Sequence, residues 1–310
     1  MNTEYDQLSR RQFMQALGLF GAVAGGLPLL AWGALPMLKK VIPSSGEKIP
    51  VIGMGSSRTF DVGADIEVRA RLVKVLQAFF DQGGGLIDTS PMYGNSEQVL
   101  GESLADIRNK GALFTATKVW TEGREEGIAQ MQQSMRLLRA PVIDLMQIHN
   151  LLDWQVHMET LTEWKRQGRI RYIGITTHRG YDHDQLTHVM EAFPLDFVQF
   201  SYSIANRKAE QRVLPLAAER GIATMINRPF QRGELFHHTR GQKLPAWAAD
   251  FDCHSWSQFF LKFVVSHPAV TCVIPATSKV HHMLDNMGAG FGRMPDAHQR
   301  QRMLEYFSLL

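Results

Sequence analysis

The chain is poor in cysteine and has no cysteine or histidine cluster at the spacing of a metal site. Cys253 and Cys272 are the two cysteines among 310 residues. Cys272 lies in an apolar run that indicates a buried thiol, although an oxidising compartment would allow the pair to form a disulfide. The histidine pairs at 237–238 and 281–282 lack carboxylate or cysteine partners at ligand spacing. We therefore expect no metal ion, and surface positions for every histidine except His149.

Charge is also low, with 20% charged residues and a formal net charge of +3. No basic run is interleaved with aromatic residues, so the composition gives no sign of a nucleic-acid partner. The glycine fingerprint of a Rossmann dinucleotide site is absent, because the glycine triplet at 83–85 precedes a predicted strand instead of following one. A metal triad and a nucleophile elbow are absent as well, which disfavours a hydrolytic barrel.

The first 38 residues differ in kind from the rest of the chain. Arg10 and Arg11 precede an apolar, glycine-containing run at 16–38, and this order resembles a bacterial twin-arginine export signal. We therefore predict a signal at residues 1–34, recognition by the twin-arginine translocation machinery, and a periplasmic or exported location. An uncleaved membrane anchor is the alternative, since the run is close to the ~20 residues that span a bilayer.

Residues 35–310 alternate short apolar strands with amphipathic helices and contain no linker or low-complexity tract. This alternation predicts an α/β fold, a single (β/α)8 TIM barrel preceded by a hairpin at 39–51. The predicted strands fall at 51–54, 86–87, 113–117, 142–148, 170–175, 197–200, 223–226 and 270–274. The predicted helices fall at 66–81, 96–107, 125–138, 155–167, 184–193, 210–220, 255–267 and 280–288.

Four side chains capable of acid–base chemistry follow three successive predicted strands. Asp88 ends one strand, and Tyr93 lies in the loop between that strand and the next helix. Lys118 and His149 end the two strands that follow. Because the carboxyl ends of the strands form one rim of a parallel barrel, we expect the four side chains to lie close together.

These residue types suit the reduction of a carbonyl group. Hydride addition builds negative charge on the carbonyl oxygen, so an acid must deliver a proton as the charge develops. Tyr93 is the candidate acid, Lys118 the cation that favours its phenolate, and Asp88 the partner that keeps Lys118 charged. His149 is suited to orient the carbonyl oxygen or to relay the proton. The hydride has to come from a cofactor, because no side chain donates one.

The segment DTSPMYGNSEQVLG, which starts at Asp88, resembles the signature of a known family. It is similar to Asp-Thr-Ala-x-x-Tyr-Gly-x-x-Glu-x-x-Leu-Gly of the aldo-keto reductases, with Ser90 in place of the common alanine. The resemblance implies a (β/α)8 barrel with a hairpin at its floor, a nicotinamide cofactor and an aldehyde or ketone substrate. It also implies that Asp88, Tyr93, Lys118 and His149 form the catalytic tetrad.

The resemblance further places the nucleotide across the ends of the later strands. The residues that match the nicotinamide carboxamide site of the family are Thr176, Thr177 and Gln199. Asn227 matches the aromatic residue that stacks on the nicotinamide, yet it has no ring for that contact. Phe230 and Trp120 are the alternative stacking residues.

Another segment matches the part of the family that cradles the adenosine phosphate. Its residues are Ala276, Thr277, Ser278, His282 and Asn286. NADP-preferring members often carry lysine and arginine at the positions of Ala276 and His282, so two cations that favour a 2′-phosphate are missing here. NADPH is the expected cofactor by family habit, and NADH is the alternative.

The loops after the first strands line the substrate pocket of the family, which makes Ser57 and Trp120 candidate substrate contacts. Nothing in the sequence selects a particular aldehyde or ketone, or an oligomeric state. The alternative function is a nucleotide-binding, redox-sensing subunit on the same barrel with little turnover. Asn227 favours that alternative, and so does export, because the periplasm has no obvious source of reduced nicotinamide.

Overall fold

The computed structural model describes residues 36–111, 113–178 and 183–310. The predicted export signal at 1–34 lies outside the described residues. Within the described ranges, no helix combines the length and the apolar character needed to cross a membrane.

The predicted hairpin is present and closes one end of the barrel. Strands β1 (Lys39–Val41) and β2 (Lys48–Pro50) pair antiparallel. Ile42 and Ile49 are buried, and they belong to the same hydrophobic cluster as inward-facing residues of the barrel strands, such as Phe114. The hairpin therefore plugs the barrel floor as expected.

Parallel strands in chain order form the central sheet, and each is hydrogen-bonded to the next. Its first and last strands meet through a bridge between Ile52 and Val273. The N–H of Val273 also donates to the carbonyl oxygen of Val51 over 2.9 Å. The sheet is thus closed, which confirms the predicted (β/α)8 barrel. The strands are β3 Met54–Gly55, β4 Leu86–Asp88, β5 Phe114–Val119, β6 Ile143–His149, β7 Ile170–Thr176, β8 Phe197–Ser201, β9 Ala223–Asn227 and β10 Cys272–Val273.

Helices surround the barrel and bury an apolar face against it. The first of them begins where the Asp65 carboxylate accepts the N–H groups of Glu67 and Val68. Its buried residues include Leu72 and Phe79, which pack in the large outer core. The helices are α1 Ile66–Asp81, α2 Ser96–Ser103, α3 Arg124–Leu137, α4 Trp154–Arg166, α5 His183–Ala192, α6 Val213–Glu219, α7 Glu234–His238, α8 Trp256–Val265, α9 Val280–Gly288 and α10 Ala297–Ser308.

Several predicted boundaries were wrong, for identifiable reasons. The helix predicted at 210–220 begins only at Val213, which puts Pro215 in the first turn, where its missing N–H breaks no helical hydrogen bond. The helix predicted at 96–107 ends at Ser103 and tightens into the 3₁₀ turn Leu104–Asp106. The barrel strand predicted at 51–54 is shorter and lies later, at Met54–Gly55. The strand predicted at 270–274 is shorter, at Cys272–Val273, and the helices α7 and α10 were not predicted.

Candidate functional site

The predicted tetrad comes together at the carboxyl ends of β4, β5 and β6. Asp88 is the last residue of β4, and His149 is the last residue of β6. Lys118 lies one residue before the end of β5 and pairs in register with Gln147 of β6. Tyr93 lies in the loop between β4 and α2. The strand register thus aims four side chains from consecutive elements at one point on the rim.

Lys118 and Asp88 form a fully buried ion pair. The Nζ atom of Lys118 lies 2.8 Å and 2.7 Å from the two carboxylate oxygens of Asp88, and it also donates to the Thr89 carbonyl oxygen over 2.6 Å. Burial opposes the charge on Lys118, but the Asp88 carboxylate together with Tyr93 and Glu97 outweighs burial, so the pKa of Lys118 is raised. Lys118 is therefore a permanent cation in a site with little solvent.

Two glutamines that the sequence analysis did not assign to this pair also contact Asp88. The amide of Gln147 donates to Oδ1 of Asp88 over 2.9 Å, and the amide of Gln199 donates to the same oxygen over 3.1 Å. Gln199 was predicted to hold the nicotinamide carboxamide, yet its amide group is directed inward to Asp88 and Gln147. The alternation of side chains along β6 was the available signal for Gln147, because it puts Gln147 and His149 on one face.

Tyr93 stands beside the buried ion pair. The centre of its ring lies 5.3 Å from Nζ of Lys118. Burial raises the pKa of Tyr93 above its ordinary value, and this outweighs the opposing effects of Lys118 and Arg228. Lys118 does lower the pKa of Tyr93, as expected. The net shift is nevertheless upward, because burial and the Asp88 carboxylate both favour the protonated phenol. Tyr93 therefore carries its proton at neutral pH.

His149 is neutral and is held by a serine. Burial, together with the charge of Lys118, lowers the pKa of His149 to about 2. Its Nδ1 atom lies 2.9 Å from the hydroxyl oxygen of Ser90. That oxygen also accepts the N–H of Met92. When the Ser90 hydroxyl donates to Nδ1, the proton of the neutral imidazole lies on Nε2, where it can be donated to a ligand.

A pocket of about 640 Å³ opens at this rim. Asp88, Tyr93 and His149 line it from within. The other predicted site residues that line it are Ser57, Thr176, Gln199, Asn227, Phe230 and Ala276. The predicted site residues that do not line it are Lys118, Trp120, Thr177, Thr277, Ser278, His282 and Asn286. Trp120 instead lies outside, with its ring centre 6.4 Å from that of His149.

Asn227 is fixed in a hydrogen-bond network where the resemblance expected a stacking aromatic. Its side-chain oxygen accepts the hydroxyl of Ser201 over 2.6 Å. Its amide donates to the carbonyl of Thr177 and to the side-chain oxygen of Gln199. Of the two alternative stacking residues, Phe230 lines the pocket, and its ring packs 4.9 Å from that of Phe236. Of the two predicted stacking residues, the one that faces the pocket is therefore in the loop after β9.

The residues around this pocket fit a nicotinamide group. Ser56 lines the pocket, and its hydroxyl oxygen is buried and has no hydrogen-bond partner within the described part of the chain. The hydroxyl oxygen of Thr177, which follows the lining residue Thr176, is also buried without such a partner, although Thr177 itself does not line the pocket. Unsatisfied buried hydroxyls are costly, so a polar ligand such as a carboxamide would stabilise them. Phe230 offers a flat apolar face in the same cavity.

The structure also shows the surroundings of the two cysteines, of the other histidines and of Asn286. Cys253 and Cys272 are both buried free thiols, and burial raises the pKa of each to about 12. No group of ligands suited to a metal ion occurs among the described residues. The prediction of surface positions was wrong for His157, which is fully buried, with Nε2 lying 2.7 Å from the Thr121 carbonyl oxygen. Asn286 is buried as well, and it accepts the hydroxyl of Ser257.

Three known proteins show what the chain is similar to. Methylglyoxal reductase YeaE of Escherichia coli is 27% identical over 256 residues, which are 81% of this chain and 89% of that protein. The NADH-specific methylglyoxal reductase of the same species is 28% identical over 184 residues, 49% of this chain and 54% of that protein. The solved structure of an aldo/keto reductase from Klebsiella pneumoniae in complex with NADP and acetate has a TM-score of 0.72 at 22% identity, and covers 87% of this chain and 95% of its own.

The family match spans the barrel and its rim. Residues 51–300 match the Aldo/keto reductase family, a range that contains β3 to β10 and all four tetrad positions. The chain therefore belongs to the aldo/keto reductase family of enzymes.

Proposed function

We propose that this enzyme reduces an aldehyde or ketone to an alcohol with a reduced nicotinamide cofactor, and that Tyr93 is the general acid. One observation carries the proposal. A protonated phenol, a buried lysine–aspartate pair and a neutral histidine converge on one pocket of about 640 Å³. A carbonyl compound in that pocket would meet one proton donor and one hydrogen-bond donor at its oxygen.

Each of the four catalytic residues has a distinct role in the proposed reduction. The imidazole of His149 donates a hydrogen bond from Nε2 and so orients the carbonyl oxygen towards Tyr93. A bound reduced nicotinamide would supply hydride to the carbonyl carbon, and as the C=O double bond became a single bond Tyr93 would give its phenol proton to the oxygen. The charge left on the phenolate is stabilised by Lys118, whose own charge is held by Asp88. Solvent then returns a proton to Tyr93.

The raised pKa of Tyr93 suits the direction of reduction. A phenol with its ordinary or a higher pKa keeps its proton until charge appears on the substrate. The cation of Lys118 lies 5.3 Å from the ring centre, close enough to favour the phenolate once the substrate oxygen has taken the proton. The neutral state of His149, with a pKa of about 2, supports an orienting role over a proton relay.

NADPH is the proposed cofactor, with NADH as the alternative. The Klebsiella pneumoniae structure with this fold is in complex with NADP, whereas one Escherichia coli relative is NADH-specific. In this chain Ser56 and Phe230, which line the pocket, would hold the nicotinamide, and Ala276 would face the rest of the nucleotide. Because Ala276 and His282 replace permanent cations, we expect only a small preference for NADPH over NADH.

The test combines nucleotide binding with turnover. Fluorescence titration with NADPH and NADH gives the dissociation constants, and a panel of small aldehydes that includes methylglyoxal gives the rates. Replacing Tyr93 with Phe should lower kcat by about 10² to 10⁴-fold, while the dissociation constant of the nucleotide stays within about twofold. Near-native turnover by Y93F would refute the assignment of the acid. Tight nucleotide binding without turnover of any carbonyl by the wild type would favour the redox-sensing subunit.

We also propose that residues 1–34 direct the enzyme out of the cytoplasm through the twin-arginine route. The support is the order of Arg10, Arg11 and the apolar run behind them. This route is suited to a protein that folds and takes up its cofactor before export.

A further inference from the structure

The face of the barrel opposite the catalytic rim is rich in basic residues. We call it the floor surface. It consists of the hairpin at 39–50 and of the connections that lead from the helices into the barrel strands, because the parallel strands all begin at this end. The connections are 82–85, 104–113, 138–142, 167–169, 193–196, 220–222 and 266–271.

Five exposed cations of the floor surface have no partner in the protein. They are Lys39 and Lys48 of the hairpin and Arg108, Arg139 and Arg220 of the connections. None of their side chains forms a hydrogen bond or an ion pair within the described ranges. The other basic residues of these segments, Lys40, Lys110 and Arg169, contact backbone carbonyl oxygens or an aromatic ring.

The carboxylates of the floor surface do not offset these cations. Glu47 pairs with Arg171 of β7, and Asp196 is buried and pairs with Lys165 over 2.6 Å. Asp106 is the one exposed carboxylate that the hairpin and the connections contain in the described part of the chain. Because the whole chain has a formal net charge of only +3, this face is more positive than the rest of the molecule.

Helix ends explain only part of this pattern. The helices that precede the strands end at the floor surface, and a cation near the carboxyl end of a helix stabilises that helix. This accounts in part for Arg108, Arg139 and Arg220, which follow helices. Lys39 and Lys48, in contrast, belong to the paired strands of the hairpin. The floor surface therefore carries more positive charge than its helix ends account for.

Exposed aliphatic side chains lie among these cations. Val41 is 45% exposed and is paired with Lys48 across the hairpin. Val142 is 41% exposed and lies in the connection that also contains Arg139. Lysine and arginine are attracted to anionic lipid headgroups, and apolar side chains enter the boundary between headgroups and acyl chains. The floor surface thus has both groups that the surface of an anionic bilayer binds.

The segment that precedes the described residues joins the barrel at this same face. The first described residue is Pro36, three positions before the hairpin. Met37 is buried, and the N–H of Leu38 donates to the carbonyl oxygen of Gly290 over 2.8 Å, which fixes the point of entry. Whether the apolar run at 16–38 is an export signal or an anchor, it directs the chain to a membrane. The floor surface is therefore the part of the barrel next to that segment along the chain.

We infer that the floor surface docks on an anionic lipid bilayer, so that the catalytic rim and its pocket face the aqueous phase. The unpaired cations belong to separate segments around the barrel floor, which suits a broad flat surface better than a groove for a single strand or peptide. This inference goes beyond the proposed reductase function and does not depend on turnover.

Flotation with lipid vesicles measures the partition coefficient of the full-length chain. Phosphatidylcholine vesicles with about 30% phosphatidylglycerol should bind the wild type about tenfold or more tightly than pure phosphatidylcholine. Raising the salt from roughly 0.1 M to 1 M should remove that difference. The side chains of residues 1–34 add no net charge, since Glu4 and Asp6 balance the two arginines. Any dependence on anionic lipid therefore reports on the barrel.

A variant of the floor surface tests the contribution of its cations. It should lose about 10- to 100-fold in affinity for the phosphatidylglycerol vesicles while its circular dichroism spectrum stays unchanged. The substitutions are Lys39→Gln, Lys48→Gln, Arg108→Gln and Arg220→Gln. Replacing the two arginines with lysine keeps the charge, so Arg108→Lys with Arg220→Lys should bind as tightly as the wild type.

A matched variant removes the same charge from exposed positions elsewhere and should bind as the wild type does. Its substitutions are Arg71→Gln and Lys74→Gln in α1 and Lys208→Gln and Lys243→Gln in the connections after β8 and β9. Equal losses in the two quadruple variants would show that net charge, not this face, determines binding, and would overturn the inference. Equal binding of the wild type to charged and neutral vesicles would overturn it too, because the apolar N-terminal segment would then explain the affinity.

Lysine acylation followed by mass spectrometry identifies the face that meets the bilayer. Phosphatidylglycerol vesicles should protect Lys39 and Lys48 and leave Lys208 and Lys243 reactive. The opposite pattern would place the rim on the bilayer and contradict the inference. Anisotropy titration with fluorescent polyuridylate tests the other class of polyanion. Tighter binding to polyuridylate than to the vesicles, lost in the floor variant, would assign the surface to nucleic acid instead.

Discussion

Ser90 shows how one side chain in the signature segment shapes the chemistry of its neighbour. The hydroxyl group lies 2.9 Å from Nδ1 of His149, in the interior of the site. The common alanine at this position could not form that bond, so the tautomer of His149 would depend on other contacts. The sequence showed the substitution, but the partner became visible only when β4 and β6 were placed side by side.

Replacing Ser90 with Ala should therefore slow the chemical step. We expect kcat to fall by about tenfold, because loss of one buried hydrogen bond costs about 1–3 kcal/mol, while the NADPH dissociation constant is unchanged. Steady-state kinetics with a small aldehyde and fluorescence titration provide the two measurements. Ser96→Ala is the matched control, since the Ser96 hydroxyl is buried and has no partner within the described residues. An equal loss of kcat in both variants would show that packing, not the His149 contact, is responsible.

At the scale of elements, the strand ends were easier to predict than the contacts between them. Apolar runs ending in Asp88, Lys118 and His149 mark β4, β5 and β6, and a parallel barrel brings such ends together. Which side chain meets which depends on register, and no periodicity in a single segment records register. For this reason the inward turn of Gln199 towards Asp88 was not predicted from the sequence.

The sequence left two further features of the structure unpredicted, helix α10 and the identity of the stacking residue, and each has a local cause. Helix α10 was not predicted, although Asp296 and Gln299 form a reciprocal capping box that indicates a helix start in the sequence. The sequence could not choose between Phe230 and Trp120 as the stacking residue, because the conformation of the loops determines which ring faces the pocket. The loop after β9 turns through left-handed residues at Arg228 and Arg232, and such turns have no reliable pattern without glycine.

The signature helix α2 is fastened to its neighbours by side chains that do no chemistry. The buried carboxyl group of Glu97 accepts the hydroxyls of Thr117 in β5 and Ser134 in α3. One turn later, Gly101 packs directly on the backbone of α3, where a Cβ atom would collide with the carbonyl oxygen of Leu137. The helix that follows Tyr93 therefore sits at a distance from α3 that only glycine permits.

Gly101→Ala should accordingly lower the free energy of unfolding by roughly 1–3 kcal/mol, as overpacking against backbone does. Urea denaturation followed by circular dichroism measures this change. Gly111→Ala is the control, because a Cβ atom there meets no atom within 4 Å. A change of less than about 0.5 kcal/mol in Gly101→Ala would mean that α2 and α3 separate at little cost.

The whole molecule should lose stability on acidification through its buried neutral histidine. The folded-state pKa of His149, about 2, lies below its ordinary value of 6.5. Between these values the unfolded chain binds a proton that the folded chain does not, so the free energy of unfolding falls as pH drops below about 6.5. Well below pH 6.5, this loss of unfolding free energy approaches about 1.4 kcal/mol for each pH unit.

Comparing pH 7.5 with pH 5.5 isolates this contribution. The wild type should lose about 1 kcal/mol more unfolding free energy than His149→Gln over that interval, measured by urea denaturation at each pH. His237→Gln, which removes an exposed histidine, should keep the wild-type dependence. Parallel curves for the wild type and His149→Gln would show that His149 is protonated in the folded enzyme.

The location of the enzyme decides which carbonyl compounds it meets, and under the proposed export signal that location depends on Arg10 and Arg11. Changing both to Lys keeps the charge but removes the guanidinium groups of the predicted signal, so the chain should accumulate in the cytoplasm. Fractionation of a bacterial host followed by immunoblotting measures the distribution, and Lys39→Arg, outside the predicted signal, controls for a change of basic residue type. Accumulation with full activity in the cytoplasmic fraction would show that the barrel folds and binds its cofactor before export. Normal appearance of the double variant in the periplasm would refute the export signal and place the source of reduced nicotinamide elsewhere.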